Sequence, residues 1–157
     1  EEAVIVVRHE DDADAQRKAA RFVLAAALLD KKYASSCDLT QFEFDDPTHD
    51  SVATYVMRER RGSGMVRASG IFDIVPADGE LAEILDLDYG DNLESAEAER
   101  YFRDCVTTLM RRPLMRKIAS ARDEYERAQS AEEKREILTR IDEYTKKLKS
   151  LKAGGMV

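Results

Sequence analysis

Apolar positions settle into a helical rhythm from Asp14 onward. Ala15, Ala19, Phe22, Val23, Ala26 and Leu29 recur at intervals of three and four, and Leu24 and Leu28 widen the stripe. From Phe22 to Leu29 the chain is apolar on every side, which predicts the central helix of a packed domain. Ahead of it, Val4 to Val7 form a short apolar run between acidic ends. No downstream strand offers this run a partner, so residues 1–13 read as an N-terminal arm or the end of a linker. Tyr33 follows the central helix, on a short second helix ending near Cys37.

Phe42 and Phe44 stand two apart, as in an extended connection that drops two rings onto a core. Asp46 followed by Pro47 is a helix start: the carboxylate caps free N–H groups, and proline suits the first helical position. Val52, Tyr55 and Val56 make the buried face, and Gly62 and Gly64 end the element. Residues 65–75 and 79–86 read as two shorter helices. Met65, Ala68, Ile71, Phe72 and Val75 line the first, and Leu81, Ile84 and Leu85 the second. Ser95 can cap a long helix with Glu97 and Glu99 in its first turn, where carboxylates favour the positive helix end. Its buried face is Ala98, Tyr101, Phe102, Cys105, Val106 and Leu109. Pro113 then removes a backbone donor and crowds the carbonyl of Leu109, so a kink or break is expected near residues 109–113.

The last third has the clearest pattern. Leu114, Ile118, Ala121, Tyr125 and Ala128 are spaced 4, 3, 4, 3, and so are Ile137, Ile141, Tyr144, Leu148 and Leu151. Ser130-Ala131-Glu132-Glu133 between them fits a capping box. Two heptad-patterned helices with a tight turn make an antiparallel helical hairpin, closed by Gly154-Gly155. The expected fold is therefore all-α: a bundle over 14–112, then a long helix leading into a hairpin over 113–157. The expected core includes Phe22, Val23, Leu28, Tyr55, Ile71, Ile84, Tyr101, Phe102 and Val106.

Composition narrows the functional classes. Three Pro and seven Gly in 157 residues are too few for a many-stranded sandwich or barrel. No apolar run approaches the length that spans a bilayer. No signal peptide is visible, and a chain opening on Glu1 reads as an excised fragment or a processed product. Residues 1–113 hold 14 basic and 24 acidic residues, a net of −10, while 114–157 hold 11 and 8, a net of +3. An acidic body repels phosphate backbones, and the interleaved signs of the tail suit a solvated helix face, so direct nucleic-acid binding is not expected.

Candidate chemistry is sparse. Cys37 and Cys105 read as two thiols in a reducing cytoplasm, too few for a zinc site even with His9 and His49. Asp86 and Asp88, in LDLDYGDN, lack the spaced oxygens and terminal Glu of an EF-hand. Gly62-Ser63-Gly64 lacks the strand and Lys of a phosphate loop. His49, just after Asp46-Pro47, reads as a surface or capping residue, since no Ser or Cys nucleophile is placed beside it. No Glu-x-x-His spacing points to a metal enzyme on a bundle. No catalytic residue, cofactor or metal is expected, and the residues describe a helical scaffold for protein contact.

The order of these signals resembles one family. RKAARFVLAAALLDKKYA (17–34), DLTQFEFDDPTHDSVATYV (38–56), AEILDLDYG (82–90), AERYFRDC (98–105) and the closing charged hairpin are together similar to the C-terminal helicase-binding domain of bacterial DNA primase. The likeness covers nearly the whole chain from about residue 14 and lies in order and spacing rather than in any one motif. It implies a bundle resembling the N-terminal domain of the replicative helicase, a long connecting helix and a two-helix hairpin that carries most of the docking. It implies a hexameric replicative helicase as partner, met through that helicase's N-terminal domains. The zinc-binding and primer-synthesising domains of such a primase would lie upstream, so this stretch itself would make no primer. Pro113 departs from the continuous connecting helix of the family.

Two rival readings are the helicase N-terminal domain itself, which would lead into a nucleotide-binding core, and a helical adaptor outside replication. On the primase reading, Ile118, Ile141, Tyr144 and Leu148 supply the internal stripe of the hairpin, and Tyr125, Leu138 and Leu151 are candidate partner anchors. The Lys146, Lys147, Lys149 and Lys152 run either caps a helix end or steers the hairpin toward an acidic partner. The candidate partner-binding set is Tyr125, Leu138, Lys146, Lys147, Leu148 and Leu151, with Pro113 as the hinge.

Overall fold

The computed structural model describes residues 2–76, 79–86 and 93–152, and for residues 2–12 and Lys152 the backbone alone. Most of its described residues are helical, with no strand among them. Helix α1 runs Glu2–Leu29. The expected arm at 1–13 is therefore, from residue 2, the leading end of this helix. A four-residue apolar run is equally compatible with helix continuing backward from Asp14. The side chains of Val4 to Val7 lie outside the described residues, as do Asp88 and Gly154-Gly155.

Local capping sets the following starts. The Asp30 side chain accepts from Lys32 N–H and opens α2, Lys31–Ser36. Asp38 opens a 3-10 turn, Leu39–Gln41, by accepting from Thr40 N–H. Asp46 accepts from Thr48 N–H at 2.8 Å and opens α3, Pro47–Gly62, with Pro47 in its first turn. The segment after α3 differs from the expected helix over 65–75. It is a 3-10 turn, Ala68–Asp73, that buries Ile71 and, just beyond it, Val75. Met65 and Phe72 face solvent. The reason is close backbone approach. Tyr55 donates its hydroxyl to the Arg67 carbonyl at 2.5 Å, and a Cβ at Gly70 would collide with that hydroxyl. The segment crosses α3 with its backbone, so fewer of its side chains reach the core.

Helix α4, Gly79–Leu85, buries Leu81 and Ile84. Helix α5 runs Ala96–Arg127, with Ser95 Oγ accepting from Ala98 N–H at 3.1 Å. Of the kink or break expected at 109–113, the break does not occur: Pro113 is buried inside one continuous helix. The proline forfeits one donor to the Leu109 carbonyl, but the flanking turns keep their own bonds and packing holds them. Ion pairs straddle the position as well. Arg112 reaches Asp45 at 2.7 Å, and Arg116 lies 3.0 Å from Glu43 without the alignment of a hydrogen bond. These contacts tie α5, on both sides of Pro113, to the extended segment before α3. The expected boundary at residues 112 and 113 thus falls within a helix.

The bundle core gathers α1 through the first half of α5, from Ala19 to Leu109. Phe22, Val23, Leu28, Tyr55, Ile71, Ile84 and Phe102 are buried in it, and Val106 packs half-buried against it. Tyr101, expected in the core, keeps 38% of its surface in solvent, although its ring meets Phe22 edge-on at 4.6 Å. Leu114, Ile118, Ala121 and Ile137 are buried outside that cluster. They belong to the hairpin of α5 with α6, Ala131–Lys152. Ser130 Oγ accepts from Glu133 N–H at 3.0 Å at the turn. Antiparallel pairing follows from Lys134 over the Tyr125 ring near the turn and Lys117 over the Tyr144 ring farther from it.

Candidate interaction surface

Two places could carry function: a polar hub in the bundle and the outer face of the hairpin. The hub is built by three helices. Arg21 on α1 sends Nε to Glu80 Oε2 at 2.8 Å and Nη2 to Oε1 at 2.7 Å, a two-pronged grip on the carboxylate at the start of α4. His49 on α3 meets the same Oε2 through Nε2 at 2.6 Å. His49 is only 3% exposed, so the expected surface or capping role is corrected. Its position after Asp46-Pro47 turns it inward beside Phe44, whose ring stands edge-on at 5.9 Å. The guanidinium of Arg21, and after it His49, holds the Glu80 carboxyl down at about 2, against the opposing effect of its burial.

Asp46, His49 and Glu80 bring three ligand atoms within 4.8 Å of one another. Their commitments argue against a cation there. Both oxygens of Glu80 already face Arg21, and Asp46 caps α3. A metal would have to expel a guanidinium from a carboxylate it already neutralises. The arrangement instead locks α4 to α1 and α3. Residues 21, 49 and 80 carry no short-range pattern, so this hub was not visible in the sequence.

The thiols are poor nucleophiles. Burial pushes Cys37 up to about 11 and Cys105 up to about 12, and both are free. Among the described residues the hydrogen-bond partner of His49 is the Glu80 carboxylate rather than a Ser, Cys or Thr.

On the hairpin the candidate residues divide. Ile137 is buried, and Ile141, Tyr144, Leu148 and Leu151 are half-buried along the seam with α5. Leu148 and Leu151 therefore serve the hairpin seam at least in part. Tyr125 is also half-buried, and Lys134 lies 5.6 Å from its ring centroid. Leu138 is different: it is 50% exposed, on the flank of the stripe that Ile137 and Ile141 turn toward α5. Lys146 pairs with Asp142 at 3.1 Å one turn back, whereas Lys147 and Lys149 are exposed without a carboxylate partner among the described residues. The side chain of Lys152 lies outside the described residues. Of the six candidates, Leu138 and Lys147 are thus the most available to a partner.

No protein-family model matches this chain, and no curated protein or solved structure matches it. No described helix is long and apolar enough to cross a membrane.

Proposed function

We propose that this chain is the helicase-docking domain of a bacterial DNA primase. It is a non-catalytic, cytoplasmic protein-interaction domain that couples primer synthesis to unwinding by holding the hexameric replicative helicase. Support comes from the ordered segments that resemble that family and from the all-α architecture of a bundle joined by one long helix to a hairpin. The observation that carries most weight is the hairpin. Its apolar seam lies outside the bundle core, and it presents Leu138 and Lys147 outward on a well-capped helix. A thin hairpin covers little apolar area by itself and gains from packing against a partner. Direct nucleic-acid contact is not part of this reading, and no cofactor is needed for it.

The test is titration of the intact chain against the matching hexameric helicase, with Leu138→Asp and Lys147→Glu in parallel. Truncation at residue 112 would cut α5 inside its span and is the poorer experiment. Leu138→Asp should weaken binding by about tenfold or more, about 1.4 kcal/mol, with an unchanged melting temperature. Lys147→Glu should act mainly on the association rate, and less at high salt. Equal binding by both variants would remove the hairpin from the docking role, and no binding by the parent chain would remove the primase reading.

A further inference from the structure

The bundle carries a second outward surface that the hairpin reading does not use. Three of its large apolar side chains face solvent within ten residues of one another: Met65 at 62%, Phe72 at 54% and Ile74 at 47% exposure. The close passage of the 3-10 turn over Tyr55 puts them there. Ile74 lines a cleft of about 240 Å³ with Asp50, Ser51, Thr54, Tyr55 and Arg58 from the outer side of α3.

The same stretch is the basic island of an acidic body. Residues 58–67 hold four Arg and one Glu, within a region 1–113 whose net charge is −10. Arg60 is committed to structure, donating Nη1 to the carbonyls of Ala34 and Cys37 at the end of α2. Arg61, in the last turn of α3, gains from the negative helix end. Arg58 lies before that turn and Arg67 beyond the helix, so helix-end charge explains neither. Arg58, Arg61 and Arg67 are all exposed, and among the described residues none has a carboxylate within ion-pair distance. Asp50 sits at the other end of the cleft, two helical turns from Arg58, roughly 12 Å away along α3.

We propose that this face docks an acidic protein segment that carries an apolar anchor, its carboxylates meeting Arg58, Arg61 and Arg67 and its anchor seated against Ile74 and Phe72. Charge complementarity selects the occupant. Three unpaired guanidiniums favour carboxylates in fork geometry. A nucleic acid is the poorer fit, because a stacking platform needs several aromatic faces and this surface offers Phe72 beside two aliphatic side chains.

The experiment uses the intact chain and fluorescence anisotropy with three labelled probes. One is a twelve-residue peptide of Asp and Glu around a central Phe-Leu pair. The second replaces every acid by its amide, and the third is a twelve-nucleotide oligothymidylate. The acidic peptide should bind, and Arg58→Glu/Arg61→Glu/Arg67→Glu should weaken it by about tenfold or more, as should raising the salt from about 50 to about 300 mM. Phe72→Ser/Ile74→Ser should weaken it by roughly fivefold at fixed salt, with the helical circular dichroism of the parent retained. Leu138→Asp on the hairpin should leave it unchanged, which separates this face from helicase docking. Failure of the acidic peptide to bind, equal binding of the amide peptide, or equal binding by the triple Arg variant would overturn the proposal. Tighter binding of the oligothymidylate would overturn it in favour of a nucleic-acid surface.

Discussion

The polar hub offers the sharpest test of how this bundle is held. Glu80→Gln keeps the size and shape of the side chain but removes the charge that Arg21 grips with two nitrogens and His49 meets from the other side. A carboxyl held at about 2 instead of the ordinary 4.5 contributes about 3 kcal/mol of stability at neutral pH. Glu80 and Arg21 keep 15% and 22% of their side-chain surface in water, so a loss of about 2–3 kcal/mol is expected. That is a large share of the roughly 5–15 kcal/mol available to a domain. The sign in pH follows from the depressed value. Stability from Glu80 is fully present above about 4.5 and is lost as pH falls from there toward about 2. At pH 3.5 roughly 1.4 kcal/mol of it should already be gone, so the gap between parent and Glu80→Gln narrows by that amount. Urea unfolding followed by circular dichroism at pH 7, 4.5 and 3.5 measures the gap directly. A difference below about 0.5 kcal/mol at pH 7, or one that stays constant down to pH 3.5, would refute the latch.

Two further perturbations test the packing. Phe22→Ala removes a ring that is almost fully buried and meets Tyr101 and Phe102, and should cost about 3–5 kcal/mol by chemical denaturation. A variant that unfolds like its parent would show that the centre of the bundle lies elsewhere. Pro113→Ala returns a donor to the carbonyl of Leu109 inside an unbroken helix, so it should raise stability by about 1–3 kcal/mol after some lost packing. A lower melting temperature in that variant would mean that the ring of Pro113 contributes more than its missing bond costs.

Much of the helix inventory could be read from the chain because its causes are local. Asp46, Ser95 and Ser130 each cap a backbone N–H two or three residues onward, and the capping residue and its target sit in one short string. The hairpin stripes recur at helical spacing and need only each other, so the buried places of Ile118, Ala121 and Ile137 are legible in the sequence. Tertiary structure decided what those patterns leave open. An apolar residue in a short segment has no side fixed by its spacing, and the passage of Gly70 over Tyr55 turned Met65 and Phe72 to solvent. A proline weakens a helix by a fixed local amount, and whether the helix breaks depends on packing and on partners such as Asp45 and Glu43, 67 and 73 positions before Arg112 and Arg116. His49 and Glu80 lie 31 positions apart and Arg21 and Glu80 lie 59 apart, so only the folded chain brings those charges into contact.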